Sequence, residues 1–283
     1  MQRLLSNHSR RVAIHLSRLS LLLPLTAFAA DLDFSLKLGF EKFVWEEFSP
    51  DGSQYLEESG TRNSLSGILG NTFIAKKDFI WQAEAKLYFG TVDYDGQTWD
   101  GVPVTSDTRY DGFMLEGEVG YRYENAERRF AWDVIGRAGF DNWTRDISNS
   151  RDVLGRPVRG YTEEYTVLNL RAGTGPYWQS GNWQARFIAG FKVPLDTNEY
   201  IGNAFEDDVT LEPEGQASFF WNFSNYIRLS DKSLITVDIF YDSYRFDASD
   251  PVWVTIDDEF TPIFQPKSTQ DYYGLQAGVS FDL

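Results

Sequence analysis

Residues 79–89 of the chain read FIWQAEAKLYF. Apolar side chains alternate there with Gln82, Glu84 and Lys86, so an extended segment would have one apolar face and one polar face. A period of two over this length is typical of a β-strand with two different surroundings. Eight further segments show apolar rows of the same spacing, at residues 32–40, 113–121, 130–140, 166–172, 183–193, 217–223, 235–241 and 273–283.

A tenth strand is predicted around residues 64–75, where Ile68 and Leu69 compete for the apolar face. Short turns are predicted at residues 75–78, 124–128, 179–182 and 230–232. Long connections are predicted at residues 46–62, 93–111, 141–164, 195–208 and 242–271. Strict alternation of short and long connections predicts an up-and-down antiparallel barrel with short periplasmic turns and long extracellular loops.

The apolar rows decide between a soluble and a membrane sheet. A soluble β-sandwich or lipocalin-like barrel would bury its apolar face and show the polar face to water. Here the polar rows carry many charges, which suits a small lumen better than a sandwich core. Aromatic residues cluster beside the short turns, as in an interfacial girdle, at Phe79, Trp81, Tyr123, Phe130, Trp132, Trp178 and Trp183. We therefore predict an all-β transmembrane barrel of ten strands.

The N-terminus predicts an export signal. Four arginines and no acidic residue precede the short apolar run 19–25, and residues 27–29 form an A-x-A cleavage site. The run is too short for a spanning helix. We expect residues 1–29 to be cleaved and residues 30–283 to form one barrel domain. Both histidines, His8 and His15, lie in the signal, and the chain has no Cys.

The C-terminal segment carries a recognisable pattern. Gln276, Gly278, Phe281 and Leu283 follow the order polar, glycine, apolar and terminal apolar with fixed spacing. This pattern resembles the C-terminal signal of Gram-negative outer-membrane β-barrels, although Phe is the commoner last residue. The resemblance implies integral insertion into the outer membrane by the barrel assembly machinery, in contact with membrane lipid and lipopolysaccharide and with no role for nucleic acid.

The polar rows predict a charge network inside the barrel. Its members are Lys37, Glu41, Glu84, Lys86, Glu116, Glu118, Arg122, Asp133, Arg137, Arg171, Arg186, Lys192, Glu212, Glu214 and Asp238. Eight acids face seven bases, and charges held away from water need partners. Near balance favours an ion-paired, constricted lumen over an open pore.

The surplus charge lies in the predicted long connections. Loss of the four signal arginines lowers the formal net charge from −16 to −20, of which the long connections hold −19. The third connection is more balanced, and its Arg145, Arg151, Arg156 and Arg159 could contact lipopolysaccharide phosphates. Acidic runs at residues 93–96 and 206–208 could attract divalent cations weakly. The apolar residues of the fifth connection could form a raised hairpin, a lid or a partner contact.

The absence of histidine from residues 30–283 argues against catalysis. The ten-strand count is similar to that of the omptin proteases, whose mechanism requires a His that the mature chain lacks. Paired carboxylates at Glu116/Glu118 or Glu212/Glu214 leave a carboxylate-dependent hydrolase as the least favoured possibility. We expect a barrel that is not an enzyme and holds no cofactor or metal. It would be a narrow channel or a structural envelope protein, or alternatively a surface-binding adhesin or receptor.

Overall fold

The computed structural model describes residues 32–72, 78–98, 100–124, 130–202, 208–256 and 259–283. The predicted signal peptide at residues 1–29 lies outside the described residues. So do the predicted turn at residues 124–128, apart from its first residue, and the acidic residues 206 and 207. No helix among the described residues is long and apolar enough to cross a membrane.

Ten long strands dominate the described part of the chain. They are β1 (Asp33–Phe48), β2 (Gln54–Gly70), β3 (Phe79–Gln97), β4 (Pro103–Glu124), β5 (Phe130–Ile147), β6 (Thr162–Ser180), β7 (Trp183–Gly202), β8 (Ser218–Ser230), β9 (Ser233–Asp247) and β10 (Lys267–Asp282). Each strand pairs antiparallel with its neighbours in sequence, and β10 pairs with β1 along their whole length. The prediction of a closed ten-strand up-and-down barrel is confirmed.

The barrel has two unlike ends. At the lower end, β6 and β7 are joined through Gly181 and Asn182, and β8 and β9 through Asp231 and Lys232. Gly181 has a φ of 59°, a left-handed conformation that glycine adopts without strain. At the upper end lie six shorter strand segments, Ser150–Arg151, Pro157–Val158, Val209–Leu211, Glu214–Gln216, Val252–Ile256 and Glu259–Ile263.

An apolar belt surrounds the lower part of the barrel. Its outward side chains alternate with buried polar ones, because successive residues of a strand point to opposite faces. The belt includes Leu36, Leu38, Phe40, Leu65, Leu69, Leu87, Phe89, Leu115, Val119, Val134, Leu168, Leu170, Phe191, Val193, Phe219, Ile239, Leu275 and Val279, all exposed. Leu65 and Leu69 face outward and Ile68 is buried, which settles the register of β2.

The hydrophobic alternation reverses its phase above this belt. On β1 the outward apolar row ends at Phe40, Lys42 is exposed, and Phe43 and Trp45 are fully buried. On β5 the outward row ends at Phe140, and Trp143 then points inward. Above the belt the outer face meets water while the interior is lined by aromatic rings, so the polar side of each strand moves from inside to outside.

The strands are far longer than a membrane requires. The 22 residues of β4 span roughly 70 Å of extended chain, or about 50–60 Å along the axis of a barrel tilted by 35–45°. A membrane belt is only about 25 Å tall. The upper half of the barrel therefore stands clear of the belt.

Several predicted long connections are therefore mostly strand. β1 and β2 leave only residues 49–53 between them, and β3 and β4 only residues 98–102. The predicted loops 46–62 and 93–111 were wrong in extent. Their strand segments do not continue the outward apolar rows of the belt, because the alternation is reversed there. Longer connections remain after β5, β7 and β9.

Candidate functional site

A continuous chain of alternating charges runs through the lumen at the level of the belt. It contains nine side chains from five strands, in the order Arg122, Asp133, Arg186, Glu118, Arg137, Glu116, Arg171, Asp242 and Lys192. The eight successive N–O distances are 2.7, 2.7, 2.8, 2.7, 3.0, 2.9, 2.6 and 2.5 Å. Every charge in the chain has at least one opposite charge in contact, which offsets the cost of removing it from water.

A second group of ion pairs involves two lumen-facing residues of β1, Glu41 and Lys37. Glu41 accepts hydrogen bonds from Lys86 and from Arg62, the latter at 3.0 Å. Lys37 pairs with Asp238. The Arg62 guanidinium is also enclosed by aromatic rings, with the centroid of Phe43 at 4.2 Å. A stacked guanidinium gains a cation–π attraction that is strongest when it is desolvated.

Thirteen of the fifteen predicted network residues face the lumen. Eleven are buried, while Glu84 and Arg137 are half-buried. Glu212 and Glu214 are exposed at the upper end, so their assignment to the lumen was wrong. Residues 212, 213 and 217 lie outside the strands and interrupt the alternation between Leu211 and β8. That interruption changes which face each residue occupies.

Several interior charges were not predicted from the sequence, and three of them adjoin the belt. Arg62, Asp141 and Asp242 are buried in the barrel, although the sequence pattern assigned each of them to a long connection. Asp141 accepts hydrogen bonds from Tyr88 at 2.5 Å and from Tyr244 at 3.2 Å. The spacing of two of them could have predicted their position, because Asp141 and Asp242 continue the alternate, inward-facing residues of β5 and β9.

Above the belt, one arginine is surrounded by carboxylates. Arg145 contacts Glu47 at 3.1 Å, Glu58 at 2.9 Å and Glu163 at 2.7 Å. Its side chain is 1% exposed, so the prediction that Arg145 contacts lipopolysaccharide was wrong. It lies on β5, inside the barrel, because the strand extends to Ile147.

Glu199 of β7 lies beside this cluster without an arginine of its own. Tyr165 donates a hydrogen bond to its carboxylate, and the Gln265 side-chain amide nitrogen donates to both carboxylate oxygens at 3.1 and 3.2 Å. Burial, and then the negative charges of Glu163 and Glu47, hold the pKa of Glu199 well above its usual range. Burial also raises the pKa of Glu163, against the opposing effect of Arg145.

The other three arginines of the predicted lipopolysaccharide contact are exposed on the connection after β5. Arg156 pairs with Asp152 at 2.6 Å, and Arg151 donates to the Gly155 carbonyl at 2.8 Å. Beside them, Val153 and Leu154 are 70% and 69% exposed. We name Arg151, Val153, Leu154, Arg156 and Arg159 the basic–aliphatic surface. Its contact with lipopolysaccharide stays a prediction.

A two-stranded hairpin forms the upper end between β9 and β10. Val252–Ile256 pairs with Glu259–Ile263. Val254 and Ile263 are buried against Ile201, Val209 and Leu211. The opposite side carries Trp253 and Phe260, which are 61% and 75% exposed. The fifth connection therefore forms a raised hairpin with one buried and one exposed apolar side.

Exposed acids surround this hairpin. Asp208, Glu212, Glu214 and Asp250 are all exposed on the segments that flank it. With Trp253 and Phe260 they make what we name the acidic–aromatic surface. The nearby cation Lys267 lies 3.7 Å from Asp247. The surface is therefore strongly negative.

The remaining predicted sites are placed by the strands that carry them. Gln276 is buried in the lumen, Phe281 faces outward and Leu283 is exposed at the lower end of β10; recognition of this segment by the assembly machinery stays a prediction. Asp93 and Asp95 lie on the outer face of β3. In the described part of the chain, no three acidic side chains are grouped so as to hold a metal ion.

Comparison with known proteins finds the fold and no family. The sequence matches no model of a protein family, and no curated protein matches it. The outer-membrane protease OmpT from Escherichia coli is similar in structure, with a TM-score of 0.63 and 8% identity over 90% of this chain and 98% of that chain.

Two further solved structures match over most of the chain with lower scores. The translocator domain of the autotransporter NalP from Neisseria meningitidis has a TM-score of 0.41 and 8% identity, over 90% of each chain. The attachment invasion locus protein Ail of Yersinia pestis has a TM-score of 0.31 and 11% identity, over 89% of this chain and 99% of that chain. The likeness to OmpT, together with the closed ten-strand barrel, shows that the chain has the fold of Gram-negative outer-membrane β-barrels.

Proposed function

We propose that this chain is a non-enzymatic, integral outer-membrane barrel whose lumen is sealed and which acts by binding through its upper, extracellular end. The observation that carries the proposal is the exposed aromatic side of the hairpin 252–263. Its acidic surroundings favour a partner that is both basic and apolar.

The lumen supports binding over conduction. Three groups of charges occupy successive levels of the interior. They are the nine-membered charge chain, Arg62 with its surrounding aromatic rings, and the cluster around Arg145. A solute crossing the barrel would have to break buried ion pairs at each level, and an unpaired buried charge is costly. Surface binding, the alternative function that the sequence predicted, is therefore better supported than a narrow or gated channel.

The upper end supports binding. Large aromatic side chains supply much of the energy in protein contacts, and an exposed pair of them on a soluble surface is unusual. Here the buried side of the hairpin is fixed on Ile201, Val209 and Leu211. The hairpin is thus packed against the barrel on one side, and Trp253 and Phe260 face solvent on the other. We propose no catalysis, because the mature chain has no His or Cys and the carboxylates around Arg145 are buried in ion pairs.

The binding test uses folded protein in lipid vesicles and beads coated with one of two peptides, alternating Lys–Leu or alternating Glu–Leu. Wild-type protein is expected on the Lys–Leu beads only. Trp253→Ser with Phe260→Ser should lose that binding about tenfold or more, which corresponds to about 1.4 kcal/mol. Val153→Ser with Leu154→Ser is the matched control and should bind as wild type.

Planar-bilayer recordings test the seal. The folded wild-type protein is expected to give no reproducible single-channel steps. Regular steps of one size, together with bead binding that ignores the hairpin substitutions, would overturn the proposal in favour of a channel.

A further inference from the structure

Two surfaces at the upper end have opposite charge and similar apolar character. The acidic–aromatic surface presents Trp253 and Phe260 among four exposed carboxylates. The basic–aliphatic surface presents Val153 and Leu154 among three exposed arginines. Arg156 is paired with Asp152 and lies 3.9 Å from Asp100, so Arg151 and Arg159 carry the excess positive charge. Each one therefore has the chemistry that the other would bind.

The two surfaces are anchored at different places on the rim. The basic–aliphatic surface leans on β4, where the Val153 amide donates to the Pro103 carbonyl at 3.1 Å and Asp152 bridges to Val104. The acidic–aromatic hairpin packs on Ile201 of β7 and on Val209 and Leu211. Strands β5 and β6 stand between these anchors in the sheet order. The surfaces are therefore free to engage another molecule at the same time.

We infer that the basic–aliphatic surface of one copy binds the acidic–aromatic surface of a second copy in an opposing membrane. This inference rests on the proposed surface-binding function and names its partner as another copy of the same chain. The two surfaces have complementary charge, because the arginines of one can pair with the carboxylates of Asp208, Glu212, Glu214 and Asp250 on the other. The apolar side chains of the two surfaces then lose their contact with water together.

Symmetry strengthens such a contact. When two copies meet end to end about a two-fold axis, each contributes both surfaces, and the same pairing forms twice. The upper half of the barrel stands clear of the belt, so the two rims can meet without the membranes touching. Many copies in each membrane add multivalency, which raises the avidity of an individually weak contact.

Charge-swap variants in separate vesicle populations test the inference. One variant is Arg151→Glu with Arg159→Glu, which makes both surfaces acidic. The other is Glu212→Lys with Asp250→Lys, which gives the acidic–aromatic surface basic residues. Asp95→Lys with Asp107→Lys is the control for the second variant, because it makes the same change in net charge on the outer face of β3 and β4. Heat-modifiable gel migration checks that every variant is folded.

The readout is clustering of phosphatidylcholine vesicles by light scattering. Wild-type and control vesicles are expected to cluster, and the clustering should fall when NaCl rises because the surface charges are screened. Vesicles with either swap variant alone should cluster at least about tenfold less than wild-type vesicles. A mixture of the two variants should recover clustering. Recovery in the mixture alone is the signature of the pairing.

Several results would overturn the inference. The first is a mixture that clusters no better than its components. The second is crosslinking within single vesicles without clustering, which would assign the surfaces to side-by-side contacts. The third is clustering of protein vesicles with protein-free vesicles that contain lipopolysaccharide, which would assign the arginines to lipid phosphates. Hairpin-dependent binding to Lys–Leu beads without vesicle clustering would leave the proposed function standing and remove only the second copy as the partner.

Discussion

Arg122 holds Asp133 by two parallel hydrogen bonds, from Nε to Oδ1 at 2.7 Å and from Nη2 to Oδ2 at 2.8 Å. Arg186 donates a third bond to the same carboxylate at 2.7 Å. Arg122 therefore depends on Asp133 for its counter-charge, whereas Arg186 also has Glu118 at 2.8 Å, and Asp133 keeps one partner if either arginine is removed. The pair sits at one end of the charge chain, and its asymmetry predicts unequal effects of substitution.

Asp133→Asn should lower the free energy of unfolding by about 3–5 kcal/mol, because it leaves the buried Arg122 guanidinium without its carboxylate and removes one of the two carboxylates that contact Arg186. Arg122→Met should cost less, since Arg186 still pairs with Asp133. Denaturant unfolding in lipid vesicles measures both. The control Asp231→Asn lies in the exposed turn after β8 and should change stability by less than about 0.5 kcal/mol. Equal effects of the two lumen substitutions would contradict the shared-partner arrangement.

The belt could be predicted from sequence because one face of each strand meets lipid and the other meets charge. That contrast gives a strong alternation in segments such as residues 79–89, and it fixed strand number, order and most of the lumen residues. It could not give the partner of each charge. The Glu118 contact with Arg186 joins strands β4 and β7, and such a pairing across the lumen leaves no pattern in the sequence.

The upper half was missed for a physical reason. Above the belt the interior is aromatic and the exterior is polar, so the alternation continues with its phase reversed. Trp143 follows Phe140 by three residues, an odd step that an outward apolar row does not contain. The upper strands therefore resembled loops, and Arg145 was assigned to the surface.

The reversed phase predicts an alternating pattern of chemical access on β2. The chain has no Cys, so single cysteines can be introduced without interference. Glu57→Cys should react quickly with a membrane-impermeant maleimide, because Glu57 faces outward above the belt. Leu56→Cys should react at least about tenfold more slowly, because Leu56 is buried in the upper interior. A flexible loop at residues 46–62 would label both positions equally.

The buried acid Glu199 predicts a dependence of stability on pH. Its pKa in the folded protein is raised, so the unfolded chain releases this proton at a lower pH than the folded barrel does. The stabilisation is complete below about pH 4.5 and is lost as the pH rises through the folded-state pKa. Wild-type protein should therefore unfold at a higher denaturant concentration at pH 5 than at pH 8.

Glu199→Gln should reduce that difference, because a neutral amide has no proton to lose. Glu57→Gln, on the outer face, is the matched control and should keep the wild-type pH dependence. Stability that rises steadily from pH 5 to pH 8 in the wild type would show that other groups outweigh Glu199.

Removing Arg145 from the upper cluster should lower the free energy of unfolding by an amount that depends on pH. Arg145→Met deprives Glu47, Glu58 and Glu163 of their shared cation, and at neutral pH the loss should be about 3–5 kcal/mol. The loss should shrink at pH 5, because burial raises the pKa of Glu163 and this carboxyl can take up a proton and become neutral once Arg145 is gone. Arg109→Met is the control, since Arg109 pairs with Asp111 on the exposed outer face and should matter little at either pH. An Arg145→Met defect of the same size at both pH values would mean that the arginine stabilises the barrel by packing against Trp45, and that its charge contributes little.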